Sequence, residues 1–208
     1  MTSIDRLRLG VTMRGAPAQD YVEPRDALAH NWHDFLATTL PEAQWLPIPN
    51  LGSKGAISYF EAWGLNALLL SGGEDLGINP QRDATELTLL AHALGHGIPV
   101  LGICRGAQLL WTHCGGRLTP IVGHRATHHT IQYGDGLRMV NSYHAQGLVP
   151  DMALSAIRIL ATAQDGTVEA LCMDGRPTLG LMWHPERESI PSEQDVALIR
   201  ALFSMGPL

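Results

Sequence analysis

The segment Gly102-Ile103-Cys104-Arg105-Gly106-Ala107-Gln108 puts a thiol where it can act as a nucleophile. An apolar run at 98–103 leads directly into Cys104, and a helix-forming run at 105–112 follows it. A residue on so sharp a strand-to-helix turn is strained, and the positions two before and two after it pass close together. Glycines at 102 and 106 avoid the resulting clash. The helix N-terminus favours negative charge, which predicts a lowered thiol pKa, and the Arg105 backbone N–H points to where an oxyanion would develop. Cys114 and Cys172 have no such context and are expected to be packed.

A cysteine nucleophile needs a base, and the base needs an orienting group. Of ten histidines, His184 ends an apolar run at 179–183 and precedes Pro185-Glu186. Pro185 biases His184 toward extended backbone, where residues two apart project to one side. Glu186 is then expected to accept from one imidazole nitrogen while the other faces the thiol. His124, His128 and His129, like His92 and His96, have spacings compatible with a metal. The preferred reading gives them no metal. His92 and His96 fall on a solvent-facing helix side, and His124 and His128 line the mouth of a substrate pocket. Ser71-Gly72-Gly73 lacks the Gly-Lys-Ser/Thr ending of a phosphate loop.

Elements able to position these groups follow from the periodicities. Strands are predicted at 7–13, 45–48, 67–70 and 98–103, and helices at 27–40 and 105–112. Another helix is predicted after a capping box of Asp83 and Glu86, with Leu87, Leu90, Ala91 and Leu94 on one face and Gly95 and Gly97 ending it. Such alternation implies a parallel sheet with helices on both faces. The second half reads as short strands at 128–132, 137–140, 156–163, 167–173 and 178–183, closed by a helix at 192–203 with Val196, Ile199, Leu202 and Phe203 on its apolar face. The tryptophans at 32, 45, 63 and 111 read as core or rim packing. No Pro- or Ser-rich linker divides the chain, so 1–208 is expected to form one domain.

Composition bounds the function. The 208 residues carry a net charge of −6 and only 16% charged side chains, and 45% are apolar. A chain without surplus Lys and Arg is not expected to bind a nucleic-acid backbone. Three cysteines do not make a disulfide scaffold. The N-terminal residues carry Asp5, Arg6 and Arg8 rather than a signal-peptide core, and no run approaches a membrane span. A cytoplasmic protein without membrane attachment is expected.

Gly-Ile-Cys-Arg-Gly-Ala-Gln at 102–108, together with Trp-His-Pro-Glu at 183–186, resembles the class I glutamine amidotransferase superfamily. The resemblance implies a three-layer α/β sandwich with a mostly parallel, flavodoxin-like central sheet and a small antiparallel β region. It also implies a Cys104-His184-Glu186 triad that cleaves a γ-glutamyl amide through a thioester, without a cofactor. Residues 70–75 match the family's oxyanion strand, which implies that Gly72 lies beside the substrate and that the N–H of Gly73 joins that of Arg105 in the oxyanion hole. By the same resemblance Gln108 lies near the glutamyl group, and Asn141, Ser142 and His144 line its pocket. Arg105, Asp75, Arg82-Asp83 and Asn141-Ser142 resemble the γ-glutamyl hydrolase branch, peptidase family C26. Residues 76–82 make a short loop, and Ala145-Gln146 rather than a second His follows His144. These are departures from the longer members of that branch, and the compact form, with Gly123-His124-Arg125-Ala126-Thr127-His128, is similar to hydrolases of surface-polysaccharide modification that act on a γ-glutamyl nucleotide amidate. A γ-glutamyl-aminobutyrate-type hydrolase, a glutaminase subunit feeding ammonia to a separate synthetase, and a non-enzymatic binding module are the alternatives. A small-molecule substrate is the expected partner, with a homodimer or a synthetase as further possibilities.

Overall fold

The computed structural model describes residues 6–150 and 154–205. Met1 to Asp5, part of the segment read above as lacking a leader, lie outside them. In chain order the strands are β1 (Arg8–Thr12), β2 (Arg14–Gly15), β3 (Asp26–Ala27), β4 (Gln44–Ile48), β5 (Ala67–Leu70), β6 (Val100–Ile103), β7 (Leu118–Pro120), β8 (Arg125–Tyr133), β9 (Gly136–Tyr143), β10 (Gln146–Leu148), β11 (Ile157–Ala163), β12 (Val168–Met173) and β13 (Thr178–Leu181). The helices are α1 (Asn31–Thr39), α2 (Gly52–Ala62), α3 (Pro80–His96), α4 (Arg105–His113) and α5 (Glu193–Met205).

The central sheet runs β4-β1-β5-β6-β13-β12-β11-β8-β9. The first five strands are parallel, and β12, β11, β8 and β9 continue the same sheet antiparallel. The antiparallel region is thus an extension of the central sheet. The parallel strands β5, β6 and β13 are buried along their whole length, as strands covered on both faces must be. On one face Trp32, Phe35 and Leu36 of α1 and Ile199 and Leu202 of α5 pack on Leu9, Val11, Leu69 and Leu101. On the other, Ala56 and Phe60 of α2, Leu89, Leu90 and Ala93 of α3, and Leu109, Leu110 and Trp111 of α4 pack on Leu68, Leu70 and Val100. Helices on both faces make three layers. Among the described residues no helix is long and apolar enough to cross a membrane.

Several expected boundaries move for local reasons. The helix predicted from 27 begins at Asn31, because Asp26–Ala27 pairs with Arg14–Gly15 in a small two-stranded sheet. The capping box at Asp83 does not form. Asn79 caps α3 by accepting from Arg82 N, and Pro80 occupies the first turn. The face packed on the sheet carries Glu86, Leu89, Leu90, Ala93 and Leu94, leaving Leu87 and Ala91 exposed. Gly97, left-handed at φ 67°, ends the helix as expected.

Candidate active site

Three adjacent parallel strands deliver their carboxyl ends to one place. Register pairs Leu70 of β5 with Gly102 of β6, and Ile103 of β6 with Leu181 of β13. The residues that follow are Ser71–Gly73, Cys104 and His184. The carboxyl edge of a parallel sheet is where such folds place ligands.

Cys104 has φ 50° and ψ −99°, a conformation costly for a non-glycine residue. It is held there from both sides. The Cys104 N–H donates to Leu181 O at 2.7 Å, and Cys104 O accepts the first bond of α4 from Gln108 N at 2.9 Å. The flanking glycines permit the turn. A Cβ on Gly102 would lie 2.5 Å from the Gly106 carbonyl carbon, and one on Gly106 would lie 2.3 Å from Leu70 O. Gly72 lies against both catalytic candidates: a Cβ there would meet His184 Cε1 at 2.8 Å and Cys104 Cβ at 3.8 Å.

His184 is buried, and its Nδ1 lies 2.7 Å from Glu186 Oε1. The contact does not arise from an extended i, i+2 pair. Pro185–Arg187 form a single 3₁₀ turn, whose fixed proline φ starts the turn and folds Glu186 back onto the ring. A carboxylate on Nδ1 favours the tautomer that leaves Nε2 free to take a proton, and Nε2 has no hydrogen-bond partner among the described residues.

The thiol contradicts the expected lowering of its pKa. Burial pushes the Cys104 thiol up to about 12, and the Glu186 charge adds to this. Arg187 and a hydrogen bond from the Arg105 N–H act in the opposite direction without prevailing. At neutral pH burial thus favours the neutral thiol of Cys104 over the thiolate.

Behind this edge lies a buried ion network that the sequence did not announce. Glu86 accepts from Thr12 Oγ1 at 2.6 Å, from Arg82 Nε at 3.0 Å and from Arg105 Nη1. Arg105 Nη2 also donates to Asp83, and Arg82 Nη1 to Glu74 Oε2 at 2.8 Å. The Arg105 side chain thus points into the scaffold, toward Asp83 and Glu86. Arg82 Nη2 donates to Ser71 O at 2.8 Å and Gly72 O at 3.2 Å. In a trans peptide the C=O and N–H point in opposite directions, so holding the Gly72 carbonyl turns the Gly73 N–H away from the guanidinium. Arg82 positions this strand, and Glu86 positions Arg82.

The remaining predicted residues divide. Asn141 grips the main chain of His184: its Nδ2 donates to His184 O and its Oδ1 accepts from His184 N, both at 2.8 Å. It also donates to Glu188 at 2.5 Å. Tyr143, on the same face of β9, packs edge-on to the His184 ring at 5.4 Å and carries Arg187 over its own ring at 4.3 Å. Ser142 faces the other way and donates to His124 O at 2.5 Å. Gln108 Nε2 donates to Gln146 O at 3.0 Å. His128 is exposed and pairs across the ladder with Asn141, on its face. His124 and His144 turn instead toward Glu169 of β12. A cleft beside Gly72 and Glu186 is lined by Arg14, Trp32 and Arg187. Cys172 is buried and Cys114 half-buried, as packed thiols should be.

The sequence profile of the Peptidase C26 family matches residues 46–135 and 127–186. The γ-glutamyl-CDP-amidate hydrolase of Campylobacter jejuni is 28% identical over 95% of this chain and 98% of its own. The γ-glutamyl-γ-aminobutyrate hydrolase of Escherichia coli O157:H7 is 30% identical over 63% of this chain and 61% of its own. A crystal structure of a glutamine amidotransferase from Thermotoga maritima shares the fold with a TM-score of 0.63, 14% identity and coverage of 87% of this chain and 76% of that one.

Proposed function

Because the chain belongs to the Peptidase C26 family, we propose that it hydrolyses the C–N bond of a γ-glutamyl amide through a glutamyl-thioester on Cys104. The observation that carries this reading is the convergence of Cys104 and His184 on Gly72, with Glu186 on the far nitrogen of the imidazole. The Cys104 sulfur attacks the δ-carbonyl carbon as His184 Nε2 takes the thiol proton. The N–H groups of Gly73 and Arg105 receive the oxyanion. His184 then gives the proton to the leaving nitrogen as the C–N bond breaks. Water, deprotonated by His184, attacks the thioester, and the sulfur leaves with that proton as glutamate departs. Glu186 holds the ring throughout and balances the transient imidazolium.

For the leaving group, the near full-length match to the Campylobacter hydrolase supports a γ-glutamyl nucleotide amidate. Arg14 and Arg187 in the cleft beside Gly72 suit an anionic phosphate on that group. Three free cysteines suit a reducing, cytoplasmic setting. The test is glutamate release by the purified chain from γ-glutamyl-CDP-amidate, γ-glutamyl-aminobutyrate and glutamine. Preference for the first is expected. Preference for the second transfers the chain to the aminobutyrate branch. Turnover of glutamine only, and only with an added synthetase, replaces the hydrolase reading with a glutaminase subunit.

A further inference from the structure

Next to the catalytic turn lies a second cluster that the proposed reaction does not use. Glu169 of β12 is fully buried, and three imidazoles converge on it. His124 Nδ1 lies 3.3 Å and His144 Nε2 3.6 Å from the same oxygen, Oε1. His129 Nε2 lies 3.5 Å from Oε2. None of these contacts has hydrogen-bond geometry. His124 Nδ1, His144 Nε2, both His129 nitrogens and both Glu169 oxygens are buried without a hydrogen-bond partner among the described residues. That is a concentrated group of orphaned polar atoms, each costly unless something joins them.

The distances indicate what would join them. A histidinium–carboxylate pair closes to about 2.7–2.9 Å. Ligand atoms on adjacent corners of a tetrahedral ion with bonds of about 2.0–2.1 Å stand roughly 3.3–3.4 Å apart. The contacts to Oε1 are close to the second spacing. The outer nitrogens of the two rings are also committed. His124 Nε2 lies 2.9 Å from Asp165 Oδ2, and Asp165 is itself anchored by Thr167 N and Oγ1. His144 Nδ1 lies 3.2 Å from Gln146 O. Ion binding requires the protons on these outer nitrogens, so that the inner ones present lone pairs to the ion. Imidazoles oriented by a carboxylate or carbonyl behind them are the usual surroundings of a metal centre.

We propose that His124 Nδ1, His144 Nε2 and Glu169 form a binding site for one divalent transition-metal ion of the zinc class, with His129 beside the second carboxylate oxygen as a further donor. Two imidazoles and a carboxylate suit Zn²⁺ better than Mg²⁺ or Ca²⁺, which prefer all-oxygen shells. The ion would tie the start of β8, the β9–β10 connection and β12 together. It would thereby brace the strand from which Asn141 holds His184.

The full chain, stripped with chelator, is titrated with Zn²⁺ and separately with Co²⁺. One tightly held ion per chain is expected, with Co²⁺ ligand-field bands, no thiolate charge-transfer band, and no change in the Cys104→Ser variant. His144→Asn and Glu169→Gln should lose the ion. The half-exposed Asp165, changed to Asn, should weaken binding about 10- to 100-fold. Circular dichroism establishes which variants fold, and the wild-type Co²⁺ spectrum decides the matter if none do. The proposal is overturned by the absence of stoichiometric uptake, by a thiolate band, by binding that survives both His144→Asn and Glu169→Gln, or by imidazole NMR showing His124 and His144 doubly protonated at neutral pH in a chain that takes up no ion.

Discussion

The parallel and antiparallel halves of the sheet both bury charge beside the Cys104 thiol, and they compensate it differently. In the parallel half Arg82 and Arg105 interlock with Glu74, Asp83 and Glu86. There, cations of the chain neutralise its anions, and the network is fixed once the fold closes. In the antiparallel half the charge partners of Glu169 among the described residues are imidazoles, and none of these contacts has hydrogen-bond geometry. The first arrangement pairs its charges within the chain, whereas the second still has valences to offer. Framework and adjustable site thus lie side by side, and substitutions on each side should separate them.

The largest effect is expected on the parallel side. Cys104→Ala should lower glutamate release by at least about ten-thousand-fold, as removal of a covalent nucleophile does, while leaving the thermal melt near wild type. Removal of 7%-exposed sulfur at a strained turn leaves the surrounding packing in place. Residual turnover near wild type would remove Cys104 from the chemistry.

Glu86→Gln tests the framework. It leaves Arg82 and Arg105 buried with one carboxylate fewer, and removing one partner of a buried ion pair costs about 3–5 kcal/mol. In chelated protein Glu169→Gln should cost less, because its contacts lack hydrogen-bond geometry. Equal losses in urea denaturation would erase the distinction between the halves. Arg82→Lys is smaller again. It keeps a cation but cannot hold the Ser71 and Gly72 carbonyls together with Glu74 and Glu86. A misdirected Gly73 N–H should lower kcat by about 10- to 100-fold, less than outright removal of an oxyanion donor, with KM little changed. A change in KM alone would make Arg82 a substrate-binding residue instead.

These contrasts were unevenly legible in the sequence. The Cys104 turn was readable because its constraints are local: Gly102 and Gly106 are needed only for backbone clearance within a few residues. His184 and Glu186 were readable as a pair, although the 3₁₀ turn that joins them was not. Helix α2 escaped notice because Leu51 gives no side-chain cap, glycines stand at 52 and 55, and only Gly52, Ala56 and Phe60 are buried. The spacing of Asp83 and Glu86 imitated a capping box, whereas both carboxylates serve Arg105, about twenty residues away in sequence. No periodicity encodes such a pairing. The histidines were noticed, but the carboxylate that gathers them, Glu169, lies within an otherwise apolar run and gave no signal of its own.

The smallest expected effect joins the two halves at the sulfur. The Cys104 thiol is raised to about 12, so its thiolate fraction at neutrality is small and should grow about tenfold per pH unit. Alkylation of Cys104 by iodoacetamide should follow that slope from pH 7 toward pH 10 without a plateau. A plateau near neutrality would restore the lowered pKa expected from the helix N-terminus. Charges around the thiol then act in opposite directions. Glu169 raises its pKa and Arg187 lowers it. At fixed pH, Glu169→Gln should accelerate alkylation by a few-fold and Arg187→Gln should slow it. Both shifts are modest, because burial and Glu186 dominate the thiol. A bound dication would also offset the Glu169 charge, so zinc-loaded wild type should react like Glu169→Gln, and adding zinc to that variant should change nothing further. If zinc instead blocks alkylation outright, the ion sits on the sulfur, and the two halves do not divide chemistry from metal as their geometry indicates.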